Sequence, residues 1–90
     1  MTHVLELYVD GDSVRSRAAL HLLERLCEAR MPGRYDLTVI DVEADPAAAE
    51  RADVVATPTM IRREPPPEVR LVGDVSDEAA ILAALDLDRG

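Results

Sequence analysis

Two short runs of β-forming residues, Val4 to Val9 and Tyr35 to Val42, flank a stretch whose apolar residues follow a helical period. From Val14 to about Arg30, residues Ala19, Leu22, Leu23, Leu26 and Cys27 recur at three- and four-residue intervals, while Glu24, Arg25 and Glu28 lie off that stripe. Asp10-Gly11-Asp12 supplies a turn, Ser13 an N-cap, and Pro32-Gly33 a stop. A strand, a helix of about four turns and a second strand in that order require parallel pairing, with helices covering the sheet.

The remainder of the chain completes one domain over residues 1–90. Asp45-Pro46 reads as a cap followed by proline at the first helical position, opening a short alanine-rich helix to about Ala52. Thr57-Pro58-Thr59 leads into a third strand at Met60-Ile61, which turns polar at Arg62-Arg63. Pro65-Pro66-Pro67 cannot lie in a central strand, because three consecutive residues lack amide donors. A fourth strand, Val69 to Val72, follows, then a turn at Gly73-Asp74, an N-cap at Ser76 and a last helix to about Leu87 with Ile81, Leu82 and Leu85 inward. The predicted order is β-α-β-α-β-β-α, a mixed sheet with helices on both faces and an antiparallel hairpin near its end. That is a thioredoxin-like α/β arrangement.

Charge and cysteine content narrow the function. A net charge of −8 repels nucleic acid and anionic lipid, so neither is an expected partner. No apolar run approaches the length of a membrane span and no signal peptide is evident, which points to the cytoplasm. With Tyr8 and Tyr35 as the only aromatics, the core is expected to be aliphatic and to lack a large aromatic anchor. A thioredoxin-type enzyme carries its thiols at the start of the first helix, where the pKa falls, yet that stretch here is Asp12-Ser13-Val14-Arg15-Ser16. Cys27 lies more than three turns downstream, on the apolar stripe, and reads as an inert core residue. His3 and His21 have no ligand partner at helical spacing, and Asp41, Glu43 and Asp45 lack the glycine and spacing of a calcium loop. No metal, no cofactor and no enzymatic activity are expected.

Some backbone devices remain. Pro58, between two threonines and before a strand, stands where thioredoxin-like folds place a cis-proline. Arg62 and Arg63 occupy successive strand positions and face opposite ways, so at least one is expected at an exposed rim.

Leu5 to Gly11, Val39-Ile40-Asp41-Val42, Ala56-Thr57-Pro58-Thr59, Pro65-Pro66-Pro67 and Val72-Gly73-Asp74-Val75-Ser76-Asp77 occur in the order and spacing of the circadian clock protein family KaiB. The likeness runs from about Val4 to Leu87. It implies a non-enzymatic regulator that docks on a hexameric ATPase of the KaiC type. It also implies a metamorphic domain, with one thioredoxin-like state that binds the ATPase and another that repacks the C-terminal half and assembles into tetramers. The resemblance places partner contacts at the start of the first helix (Ser13, Arg15, Arg17), on the second strand (Thr38) and on the third (Arg62, Arg63). Among these, a partly buried, charge-paired Arg62 is the leading interface residue. Pro58, Pro65, Pro66, Pro67, Gly73, Asp74 and Ala84 take structural roles.

The chain departs from the family in places. Val14 and Arg15 stand where a proline and an asparagine are usual, Ala18 replaces an arginine that Arg17 neighbours, and Glu64 replaces a hydrophobic residue. Ala84 stands where glycine is frequent, worth about 1 kcal/mol toward helix, which favours the thioredoxin-like state. Two alternatives are an adaptor acting on a histidine kinase and, on the fold alone, a degenerate redox protein.

Overall fold

The computed structural model describes residues 2–73 and 75–85. It runs β1 (His3–Val9), α1 (Val14–Arg30), β2 (Tyr35–Asp41), α2 (Pro46–Arg51), β3 (Thr59–Glu64), β4 (Val69–Val72) and α3 (Glu78–Leu85). The four strands form one sheet in the order β2-β1-β3-β4. β1 pairs in parallel with β2, Leu5 opposite Leu37 and Leu7 opposite Val39. β3 is antiparallel to both β1 and β4. The strand-helix-strand opening and the late hairpin are therefore as the sequence predicts.

The two-residue period of β1 divides the core between the two faces of the sheet. Leu5, Leu7 and Val9 pack with Leu23, Leu26 and Cys27 of α1 and with Ile81 and Leu85 of α3. Tyr8 points the other way, packing with Ile61 and Ala52 beneath α2, with Ile40, Val42 and Val54 alongside. Each fully buried leucine or isoleucine stabilises the fold by about 1.5–3 kcal/mol, and Leu5, Leu7, Leu23, Ile81 and Leu85 are all at 0% exposure. The expectation of a core without an aromatic anchor is corrected on the α2 face, where Tyr8 is buried and is the largest residue of the small cluster. Its hydroxyl escapes burial as an orphan by donating to Glu6 Oε1 at 3.0 Å.

Local chemistry sets the boundaries. The Ser13 hydroxyl accepts the Ser16 N–H at 3.2 Å, and the Asp45 carboxylate accepts that of Ala48 at 3.1 Å, so both predicted caps hold. For α3 the cap is corrected from Ser76 to Asp77, whose Oδ1 takes the N–H groups of Ala79 and Ala80 at 3.0 and 3.4 Å. The adjacent residues are both good caps, and sequence alone does not separate them. β2 ends one residue earlier than predicted, at Asp41, and β3 begins at Thr59 and continues through Arg63 to Glu64. Asp74 and the predicted helix end at Leu87 lie outside the described residues.

Three proline bonds are cis: Thr57–Pro58, Glu64–Pro65 and Pro66–Pro67. Gly73, with φ +80°, occupies a conformation that side chains resist. It ties β4 to the Pro58 turn through its N–H, which donates to Pro58 O at 3.0 Å.

Candidate functional site

The turn from β1 into α1 is organised by serines where a redox enzyme would need thiols. Ser13 and Ser16 stand at the spacing of a C-x-x-C pair at the helix start. Ser13 caps the helix, and Ser16, 1% exposed, accepts the Asp10 N–H on its hydroxyl at 3.0 Å. Both oxygens are thereby committed to backbone. From β2, Asp41 Oδ1 accepts the N–H of Gly11 at 3.1 Å and that of Glu43 at 2.9 Å, and these bonds hold its carboxyl below the usual carboxylate range. Glu43 is pushed the other way, first by a shared hydrogen bond with Asp10 and then by that residue's charge. A φ of +50° favours glycine at position 11, whereas the nearest atom to a Cβ there, Glu43 Oε2 at 2.9 Å, is the end of a side chain that can move aside. The acidic residues read from sequence as a solvated approach to α2 thus include one, Asp41, that pins two loops together.

On the rim of this corner lie Arg15 and Arg17, both exposed. Arg15 reaches across to β4, its Nη2 donating to Gly73 O at 3.4 Å, a long bond that leaves most of the guanidinium available. Val14 beside it is 82% exposed.

A second group lies on the α2 face of the sheet. Thr38 is exposed on β2, opposite Glu6 in register. Glu6 Oε1 in turn accepts from Arg63 Nε at 3.0 Å and Nη2 at 2.9 Å, and Arg63 Nη1 bonds Glu68. The pairing of β1 with β3 jumps from Leu5–Arg62 to Val4–Glu64, which makes Arg63 the extra residue of a β-bulge and aims it across the strand. Burial pulls the Arg63 pKa down, but the bond and charge of Glu6, with Glu68 behind, raise it overall. Arg70 bonds Glu68 from β4 at 3.3 Å and holds that carboxyl low. Together with Tyr8, Ile40, Ala48 and Arg51, the Glu6–Arg63 pair lines a groove of about 270 Å³. Sequence reasoning named Thr38 and Arg63 here and missed Glu6, Tyr8 and Glu68. Glu6 and Tyr8 alternate with the buried Leu5 and Leu7, and that alternation was the available signal for a carboxylate facing a cation across the sheet.

Arg62 is placed otherwise than expected. It is 4% exposed, and the side chain turns into the α3 layer, where Nη1 donates to Ala84 O at 2.9 Å and Nη2 to Pro67 O at 3.0 Å. The description of Arg62 as partly buried is corrected, since it is buried, and among the described residues its partners are two carbonyls. Of the two adjacent arginines, the one nearer solvent is Arg63, with 34% of its side chain exposed. The structure therefore brings Arg15 to Gly73 at one end of the sheet, with Ser13 capping the helix start and Arg17 exposed further along it, and sets Thr38 and Arg63 on the α2 face, while Arg62 turns into the α3 layer.

Cys27 is fully buried and burial pushes its thiol up to about 11, with Glu28 and Glu24 adding to the rise. This is the reverse of thiol activation. His21 is exposed on α1, and His3 is bonded through Nε2 to Leu85 O at 3.0 Å. Among the described residues, no group of three or more His, Cys, Asp or Glu side chains is placed to hold a metal ion, and no helix is long and apolar enough to cross a membrane.

Comparison with known proteins places this geometry in a family. The pattern that defines the KaiB domain matches residues 6–87. The circadian clock protein KaiB3 of Synechocystis is 39% identical over 84 residues, 93% of this chain and 82% of that protein. The circadian clock oscillator protein KaiB of Prochlorococcus marinus is 43% identical over 86 residues, 96% of this chain and 80% of that protein. Among solved structures, the N-terminal domain of Synechococcus elongatus SasA superposes with TM-score 0.78 at 23% identity, over all of this chain and 89% of that one. Mitochondrial thioredoxin 3 of Saccharomyces cerevisiae superposes with TM-score 0.76 at 15% identity, over 93% of this chain and 76% of that one. These two structures share the thioredoxin-like fold.

Proposed function

The chain belongs to the KaiB family of circadian clock proteins, and from that premise we propose that it acts by docking on a hexameric ATPase of the KaiC type. Its role is regulatory and non-enzymatic, as in the rest of the family. The observation that carries the reading is the KaiB pattern extending over residues 6–87, nearly the whole chain.

The contact surface in this reading begins at the rim of α1, with Arg15 and Arg17, and extends to Thr38 and Arg63. Two features support it. Arg15 and Arg17 are exposed cations on a chain of net charge −8, and a partner presenting acidic groups would meet them without displacing an internal carboxylate. Ser13 and Ser16 spend their hydroxyls on the backbone, so the corner is rigid and pre-organised for contact. A second arrangement of the same chain, repacked in its C-terminal half and assembled into tetramers, completes the proposal.

Co-purification with the KaiC-like ATPase of the same genome, in ATP and in ADP, tests it. A complex that depends on the bound nucleotide is expected. No complex with either nucleotide, or capture of a histidine kinase in its place, would overturn the proposal.

A further inference from the structure

We infer that Arg62 is a latch: one guanidinium clasps α3 at Ala84 and the triple-proline turn to the sheet, and so governs whether α3 stays docked beside the partner surface. The inference rests on the reading above for what that surface binds, but not for the latch itself.

The physical case starts from burial. Arg62 is 4% exposed, and among the described residues no carboxylate lies within ion-pair distance of it. A buried cation is tolerated only while dipoles compensate it, and here these are the Ala84 and Pro67 carbonyls at 2.9 and 3.0 Å. Among the described residues its Nε has no partner, and the two carbonyl bonds are the ones that hold the charge. Ala84 O lies in the last described turn of α3. The last described turn of α3 holds no basic residue, and Arg62 brings a donor and a positive charge to it from β3. His3 takes the next carbonyl, Leu85 O, at 3.0 Å.

Helices shorter than about 12–15 residues are marginal alone in water, and the described turns of α3 are held by packing on the sheet and by the bonds from Arg62 and His3. Its N-terminal approach is tied to the corner as well, since Arg15 bonds Gly73 O and Gly73 bonds Pro58 O. Release of α3 would strand the Arg62 charge and loosen the seat of Arg15 together. Arg62 thus acts on the partner through position, without touching it.

Amide hydrogen exchange on the full chain, followed by mass spectrometry, tests the latch without any partner. With Arg62→Met, exchange across α3 is expected to quicken at least about tenfold, while β1 and β2 change by less than about threefold. Arg62→Lys keeps the stem and one donor and should fall between, and it decides the matter if Arg62→Met does not fold. Uniform acceleration over the whole sheet, or unchanged exchange in α3, would overturn the latch. Arg17→Glu, which leaves the Arg15–Gly73 bond in place, should leave α3 exchange unaltered while weakening association with the ATPase. If wild-type chain fails to associate at all, the functional reading fails while the exchange result still stands or falls on its own.

Discussion

Burial pushes the Cys27 thiol up to about 11, with Glu28 and Glu24 adding to it, so at pH 8 only about one thiol in a thousand is ionised. Cys27 should therefore resist an aromatic disulfide reagent in native buffer and react fully in denaturant, and fast native labelling would contradict its placement. The Asp10–Glu43 pair gives a prediction of opposite kind. A carboxyl whose pKa is raised in the fold binds its proton more tightly folded than unfolded, so stability falls as pH rises through that raised value. Glu43→Gln should accordingly raise the melting temperature at pH 7, with the gain vanishing as the pH drops into the carboxylate range. For Asp41 the sign reverses: its lowered pKa adds stability above the ordinary carboxylate value, lost as acid protonates it, so Asp41→Asn should destabilise most at neutral pH. Melting curves across that range separate the two. Arg62 marks the limit of residue-level reading. Alternation along a strand says that Arg62 and Arg63 face opposite ways, but which face is dry depends on where α3 lies, and no local pattern encodes that.

At the scale of elements, the sequence was most informative where one period ran unbroken. α1 was legible end to end because its cap, apolar stripe and Pro-Gly stop agree, and β1 and β2 followed from their runs of β-formers. α3 was legible as a helix but not in its start, because Ser76 and Asp77 are adjacent and chemically suited alike. Asp77→Ala should cost about 1 kcal/mol in urea unfolding, whereas Ser76→Ala should be nearly neutral. The β1–α1 turn offers a harder test, because Ser16 is buried and alone accepts the Asp10 N–H from a side chain. Ser16→Ala leaves that donor unpaired and should cost about 1–3 kcal/mol, more than its removal from an exposed site. The groove on the α2 face was only half legible. Its two halves come from β1 and β3, residues 57 apart in Arg63 and Glu6, and the bulge that aims Arg63 has no signature in the sequence.

For the whole molecule, the fold has the thioredoxin-like frame, and the Ser13 and Ser16 hydroxyls at the start of α1 are spent on capping and turn bonds. In the proposed reading, what it offers a partner is a corner braced by those bonds and exposed cations on an otherwise acidic body. Long-range repulsion by a net charge of −8 does not prevent such a contact, because charges beyond about 8 Å are screened at physiological salt. The local rim then decides. The most direct measurement is a titration of the chain into the proposed partner, a KaiC-like ATPase hexamer, followed by native mass spectrometry in each nucleotide state. The account predicts stepwise addition of copies in one nucleotide state, lost on reversing Arg15 and Arg17 to glutamate, with the variant's melting curve unchanged. Binding that survives the reversal, or no binding by the wild-type chain in either state, would contradict it.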